Sequence, residues 1–175
     1  MNIDTTLAIS GAISLFVISA AGSVLGTSVA ASAAIGSWKK CFTHNKPAPF
    51  TLLTFVGMPL TNSLYGMVLM FSIIPKALTQ SMIPGAGYAM LAMCIFVGLI
   101  IAFAAWMQTR AAACACDAQG ETGQGFGNYI AAIGIIEGVT IFIFVFTLVV
   151  IGNFFAPASA AEPPAPVLEA SAEAA

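Results

Sequence analysis

Four long apolar segments make up most of this chain and constrain its fold more than any other feature. They cover residues 7–38, 50–79, 85–116 and 128–155. Each is roughly 30 residues long, whereas a helix needs only about 20 apolar residues to cross the hydrocarbon core of a bilayer. The segments lack the alternation of apolar and polar residues that is typical of barrel strands. We therefore predict an all-α integral membrane protein, a four-helix bundle whose helices tilt or extend beyond the bilayer.

The composition agrees with a membrane protein. Of the 175 residues, 59% are apolar and only 7% are charged, whereas about a quarter of the residues in a soluble domain are charged. The sequence contains no basic run, which argues against a nucleic-acid partner. We predict one membrane domain over residues 1–156. Residues 157–175, rich in alanine, proline and glutamate without periodicity, are predicted to form a disordered tail.

The basic residues predict the orientation of the chain in the cell membrane. Three of the five, Lys39, Lys40 and Lys46, lie in the first loop. Because cytoplasmic loops carry an excess of lysine and arginine, the loops near 39–48 and 117–126 are predicted to be cytoplasmic and both termini to lie outside. Residues 28–34, SVAASAA, imitate a signal-peptidase site, but we expect no cleavage there, since no base precedes the first segment and its apolar run is too long for a signal peptide.

Small residues line the first and third segments. In the first, Gly22, Gly26, Ala30 and Ala34 recur every four residues, a pattern that lets helix backbones approach closely. The stripe predicts either simple pairing with one neighbouring helix or a crowded inner wall where copies of the chain meet. The second and fourth segments are bulkier and carry polar groups midway. This alternation predicts two duplicated helical hairpins.

Glu137 is the one acidic residue inside the four segments, about ten residues into the last. A charge at that depth costs a few kcal/mol and usually faces other protein or an ion path. Counting from the loops, Thr61, Asn62 and Gln108 fall at nearly the same depth. We therefore predict a cation site at Glu137. A simpler alternative for the second segment is that its polar groups satisfy one another where Pro59 breaks the helix.

Residues on three segments resemble the rotor-ring proteolipid, subunit K or c, of V-type ATPases, especially the bacterial sodium-pumping branch. In that branch the second helix has the pattern Pro-x-Thr-Gln-x-x-Tyr-Gly. Residues 59–66 read PLTNSLYG and match it except that Asn62 stands in place of glutamine. Gln108-Thr109-Arg110 matches a glutamine, small residue and base in the third helix, and Glu137 matches the glutamate of the fourth. The resemblance extends to about residue 155, and the tail has no counterpart in it.

The resemblance implies a sodium site and a set of partners. Its ligands would be Glu137, Gln108, Thr61, Asn62 and the backbone carbonyl of Met58, with the Tyr65 hydroxyl steadying the carboxylate. Identical subunits would form a ring among membrane lipids, beside a stator subunit that bears an arginine, with central-stalk subunits at the cytoplasmic loops. ATP hydrolysis in a soluble head would turn the ring. The chain has no phosphate loop and no nucleophile–base pair, so it is expected to be a non-catalytic subunit.

Other functions stay open from the sequence. The same subunit could carry protons, which need only a carboxyl in a dry pocket. The oxygens of Thr61, Asn62 and Gln108 favour sodium, because a sodium ion needs several oxygen ligands. A small proton-coupled antiporter could also use one membrane glutamate, although such carriers usually need a larger cavity with aromatic walls. A structural membrane protein without a transport role would leave Glu137 unexplained.

Overall fold

The computed structural model describes residues 2–155, and the predicted tail, 157–175, lies outside the described residues. Short 3-10 turns follow the second and the fifth α-helix, at Met58–Leu60 and Gly152–Phe154. Residues 2–155 contain no β-strand, only an isolated bridge between Met82 and Phe155. The all-α prediction is therefore confirmed. The α-helices of this region are α1 (Ile3–Thr43), α2 (Leu52–Gly57), α3 (Thr61–Thr79), α4 (Ala86–Thr122) and α5 (Phe126–Ile151).

In the described part of the chain, four stretches are long and apolar enough to cross a membrane. They are Ile3–Thr43, Leu52–Thr79, Ala86–Thr122 and Phe126–Phe154, which agrees with the predicted multi-pass bundle. α2, the first 3-10 turn and α3 together form the second span. The helix α1 has 41 residues and is thus about 60 Å long, twice the thickness of the hydrocarbon core. α1 and α4 exceed the predicted segments because both continue as helices through their polar ends.

α1 and α4 pack closely because small residues face each other along their contact. A Cβ atom on Gly22 would lie 2.5 Å from the Cα of Ala102, and one on Gly98 would lie 3.2 Å from the Cα of Leu15. Gly22 therefore has no room for a side chain, and a side chain at Gly98 would require α1 to shift by a few tenths of an ångström. The predicted stripe Gly22, Gly26, Ala30 and Ala34 is buried. Pairing within one chain accounts for the stripe, and an inner wall shared by several copies stays a prediction.

The second span and α4 lie between α1 and α5. α1 makes its most extensive contact with α4 and its next with α3, while α5 contacts α4 and α3. The side of the bundle formed by α1 and α3 is therefore opposite the side formed by α4 and α5. Large apolar side chains cover the outside. Phe142 and Phe146 of α5 are each 67% exposed, a surface suited to lipid or to other apolar helices.

Polar contacts connect α1 to α4 at both ends. At one end the carboxylate of Asp4 accepts hydrogen bonds from the backbone N–H groups of Gly85 at 3.1 Å and Gly87 at 2.9 Å. A negative charge at the start of a helix is favourable because of the helix dipole. At the other end Lys40 forms an exposed salt bridge with Asp117 at 2.7 Å. The loop after α1 and the end of α4 thus lie at the same end of the bundle. The side of the membrane that this end faces stays a prediction.

Candidate ion-binding site

Glu137 lies near the middle of α5, between the buried and the exposed face of the helix. Thr140, nearly one turn further on, is buried, whereas Ile135 and Val139 are exposed. The glutamate itself is half-buried, and its carboxylate contacts side chains of α3 and α4. Since a charge at this depth is costly unless other groups compensate it, these contacts define the candidate site.

Tyr65 of α3 reaches the carboxylate directly. Its hydroxyl donates a hydrogen bond to Oε1 of Glu137 at 2.9 Å. The centroid of the Tyr65 ring lies 5.2 Å from that of Phe144, so Phe144 supports the ring while Glu137 accepts the hydroxyl. Phe144 was not among the predicted site residues. Its position about two turns after Glu137, on the same face of α5, is the signal that could have found it.

Gln108 of α4 reaches the other carboxylate oxygen. Its side-chain nitrogen Nε2 donates to Oε2 of Glu137 at 3.5 Å, a long hydrogen bond. Asn62 of α3 lies behind it, and its Nδ2 donates to Oε1 of Gln108 at 2.8 Å. Both amides are only 1% exposed. A chain of hydrogen bonds therefore runs from α3 through α4 to α5, in which Asn62 donates to Gln108 and Gln108 donates to the carboxylate of Glu137.

The side-chain oxygen of Asn62 stands at the far end of this chain of hydrogen bonds. Oδ1 is buried and accepts no hydrogen bond from any residue between 2 and 155. A buried acceptor without a partner costs about 1–3 kcal/mol, and such atoms are rare in folded proteins. Asn62 thus brings a hydrogen-bond acceptor into the core that its protein neighbours do not satisfy.

Pro59 interrupts the second span just before these polar residues. α2 ends at Gly57, a 3-10 turn follows, and α3 begins at Thr61, because proline has no amide hydrogen and crowds the preceding turn. The carbonyl of Met58 accepts a hydrogen bond from the Thr61 hydroxyl at 2.9 Å. These two groups satisfy each other, as the simpler interpretation of the sequence expects. Within residues 2–155 neither is hydrogen-bonded to Glu137.

The structure brings most of the predicted site residues together. Tyr65 and Gln108 contact Glu137, and Asn62 joins through Gln108, while Thr61 begins the helix that carries Asn62 and Tyr65. The site therefore offers carboxylate, amide and hydroxyl oxygens, the ligands that hard cations prefer. The described residues contain no cluster of three or more His, Cys, Asp or Glu side chains that would suit a transition metal.

Comparison with known proteins identifies no relative of this chain. No protein-family model matches the sequence, and no curated protein matches it significantly. The function of the site is therefore inferred from its residues and their contacts.

Proposed function

We propose that the chain is the ion-carrying rotor subunit of the membrane sector of a V-type ATPase and that it binds one sodium ion at Glu137. The observation that carries the proposal is a carboxylate in the middle of an apolar helix, contacted by Tyr65 and Gln108 of two neighbouring helices. An ionised carboxylate facing lipid is costly, and a bound cation removes most of that cost. A loaded subunit can therefore cross the lipid-facing part of a rotation, whereas an empty one cannot.

Charge balance at Glu137 also explains how the ion would leave. An arginine on a stator subunit would offer the carboxylate another positive charge and so displace the sodium ion. Each displaced ion moves one charge through the membrane, which costs about 2.3 kcal/mol against 100 mV. ATP hydrolysis in the soluble head would supply this work through the central stalk. The chain itself contributes the site and no catalytic step.

An apolar groove and a row of exposed apolar side chains lie on opposite sides of the bundle, which supports assembly into a ring. α1 and α3 border a groove of about 520 Å³, lined mainly by apolar side chains that include Val24 and Leu64. On α4 an exposed ridge lies roughly opposite Gly98, which faces α1. A contact between the groove of one copy and the ridge of the next repeats in one direction and can close into a ring. The ridge consists of Phe96, Ile100, Phe103 and Met107.

Carbodiimide labelling of the detergent-solubilised full-length chain tests the sodium site. Near neutral pH, millimolar sodium should slow the labelling of Glu137, and the same concentration of potassium should not. The variant Glu137→Gln measures background labelling at acids outside the site, such as Asp117 and Glu121, and should show no sodium effect. If only a rise in pH protects Glu137 and sodium has no effect, the sodium proposal is wrong.

A proton is the second candidate for the ion, and one observation favours it. The side-chain oxygen of Gln108 accepts a hydrogen bond from Asn62 and does not face the carboxylate, so it is not placed to ligate a metal ion there. A protonated carboxyl needs no further oxygen ligands. The labelling experiment separates the two ions, because a proton site responds to pH alone.

An antiporter is separated from a rotor subunit by its size in mild detergent. A ring of identical subunits should migrate as a large, heat-resistant oligomer, whereas a small carrier should migrate as a monomer or dimer. The wild-type chain and Glu137→Gln should behave alike, because the proposed contacts between copies lie on the groove and the ridge rather than at the carboxylate.

A further inference from the structure

We propose that Asn62 does not ligate the ion but positions Gln108, and that the two side-chain amides turn over together when a sodium ion binds at Glu137. The inference rests on the proposed function, since it concerns the same site. It assigns Asn62, one methylene shorter than the glutamine of the resembling family, a role in switching the site between two hydrogen-bonded arrangements.

The amide of Gln108 is oriented with its nitrogen towards Glu137 and its oxygen towards Asn62. Its Nε2 faces Oε2 of Glu137 at 3.5 Å, and its Oε1 accepts from Asn62 at 2.8 Å. A sodium ion beside the carboxylate attracts oxygen and repels the positive end of an N–H group. Gln108 can therefore contribute its oxygen to the ion only after its amide turns by about 180°, which exchanges Oε1 and Nε2.

The contact between the two amides requires Asn62 to turn together with Gln108. Once Gln108 has turned, its Nε2 faces the Nδ2 of Asn62, and two donors cannot form a hydrogen bond. If Asn62 turns as well, its Oδ1 accepts from Nε2. Oδ1 is the buried atom that has no partner among residues 2–155. The acceptor that the turned arrangement requires is thus already present in the core.

The free-energy balance between the two arrangements depends on whether a sodium ion is bound at Glu137. Each contains one hydrogen bond between Asn62 and Gln108, so the pair itself favours neither strongly. The charge at Glu137 then decides: the bare carboxylate attracts the N–H of Gln108, and the carboxylate with its sodium ion attracts the oxygen. In both arrangements the side-chain amide of Asn62 is hydrogen-bonded to Gln108, and Gln108 is therefore the amide that contacts the ion.

Solid-state NMR on the full-length chain in lipid bilayers tests the switch. The side-chain ¹⁵N of glutamine and the ¹³Cδ of glutamate are labelled, and their dipolar coupling is compared in potassium and in sodium. The signal that disappears in Gln108→Leu belongs to the Gln108–Glu137 pair. We expect this coupling in potassium and its loss in sodium, because Nε2 turns away from the carboxylate.

The result that would overturn the switch is an unchanged coupling in sodium under conditions where sodium protects Glu137 from carbodiimide. The proposed sodium site would then stand, with a fixed amide. If sodium neither protects Glu137 nor changes the coupling, the sodium proposal and the switch both fail. The labelling measured in parallel therefore distinguishes the two failures.

Substitutions separate positioning from ligation. If Gln108 ligates and Asn62 positions, Gln108→Leu should raise the sodium concentration for half-protection about tenfold or more, and Asn62→Leu by less than about threefold. Asn62→Leu should also weaken the Gln108–Glu137 coupling in potassium, because nothing then holds the Gln108 amide in its orientation. Equal loss of sodium affinity in the two variants would instead make Asn62 a ligand and contradict the inference.

Discussion

At the scale of single residues, the site depends on the groups that compensate the negative charge of the Glu137 carboxylate. Tyr65 offers it a hydroxyl at 2.9 Å, and Gln108 offers a longer amide contact at 3.5 Å. A charged acceptor strengthens both hydrogen bonds, and the Tyr65 contact, which is 0.6 Å shorter, should hold the carboxylate more firmly. The Tyr65 hydroxyl is therefore expected to fix the carboxylate on the inner side of α5.

Replacing Tyr65 with phenylalanine tests this role. Tyr65→Phe removes the hydroxyl and keeps the ring that packs against Phe144. The carboxylate should become more mobile, and we expect carbodiimide to label it about three- to tenfold faster, equivalent to about 0.7–1.4 kcal/mol. The rate of labelling measured by mass spectrometry checks the prediction.

A matched control for this prediction lies at the start of α4. Tyr88 is 59% exposed, so Tyr88→Phe removes a hydroxyl elsewhere and should leave the labelling rate unchanged. Equal rates in Tyr65→Phe and the wild type would show that the hydroxyl does not hold the carboxylate.

At the scale of helices, apolar length predicted the four spans, and counting from the loops placed Thr61, Asn62, Gln108 and Glu137 at one depth, because a helix rises by a constant amount per residue. The four spans are confirmed, and three of the four residues, Asn62, Gln108 and Glu137, form one chain of hydrogen bonds. The sequence could not predict how the polar groups pair, since depth does not determine side-chain orientation. Thr61 is an example: counting places it at the depth of Glu137, but its hydroxyl donates a hydrogen bond to the backbone carbonyl of Met58. The lengths of α1 and α4 were also underestimated, because their polar ends stay helical.

The close contact between α1 and α4 gives a prediction at this scale. Gly22→Leu should destabilise the fold by about 1–3 kcal/mol, because the new side chain has no room beside Ala102 and forces the helices apart. Gly36 lies on the same helix, and a Cβ atom added there would have no neighbouring atom within 4 Å, so Gly36→Leu is the matched control. Thermal unfolding in detergent, followed by circular dichroism, should show a lower midpoint for Gly22→Leu alone. A similar midpoint in both variants would mean that the two helices can separate without cost.

At the scale of the whole molecule, the surface of residues 2–155 is mainly apolar and carries two distinct features, a groove and a ridge. The groove between α1 and α3 and the exposed apolar ridge on α4 lie on opposite sides of the bundle. In a membrane such surfaces gain little from the hydrophobic effect, because lipid is also apolar. Complementary packing must therefore stabilise any contact between copies, so the proposed ring depends on the shape of the groove.

Filling the groove should therefore prevent assembly while leaving the single chain folded. Val24 lines the groove and is 69% exposed, and its neighbour Leu25 is 56% exposed but points about 100° away around the helix. We expect Val24→Trp to shift the large oligomer to a monomer in mild detergent, because the indole occupies the space that the ridge of the next copy requires. Leu25→Trp adds the same side chain outside the groove and should leave the oligomer intact. Light scattering measures the mass, and circular dichroism checks that both variants stay helical. An oligomer that survives Val24→Trp would place the contact between copies on another face of the bundle.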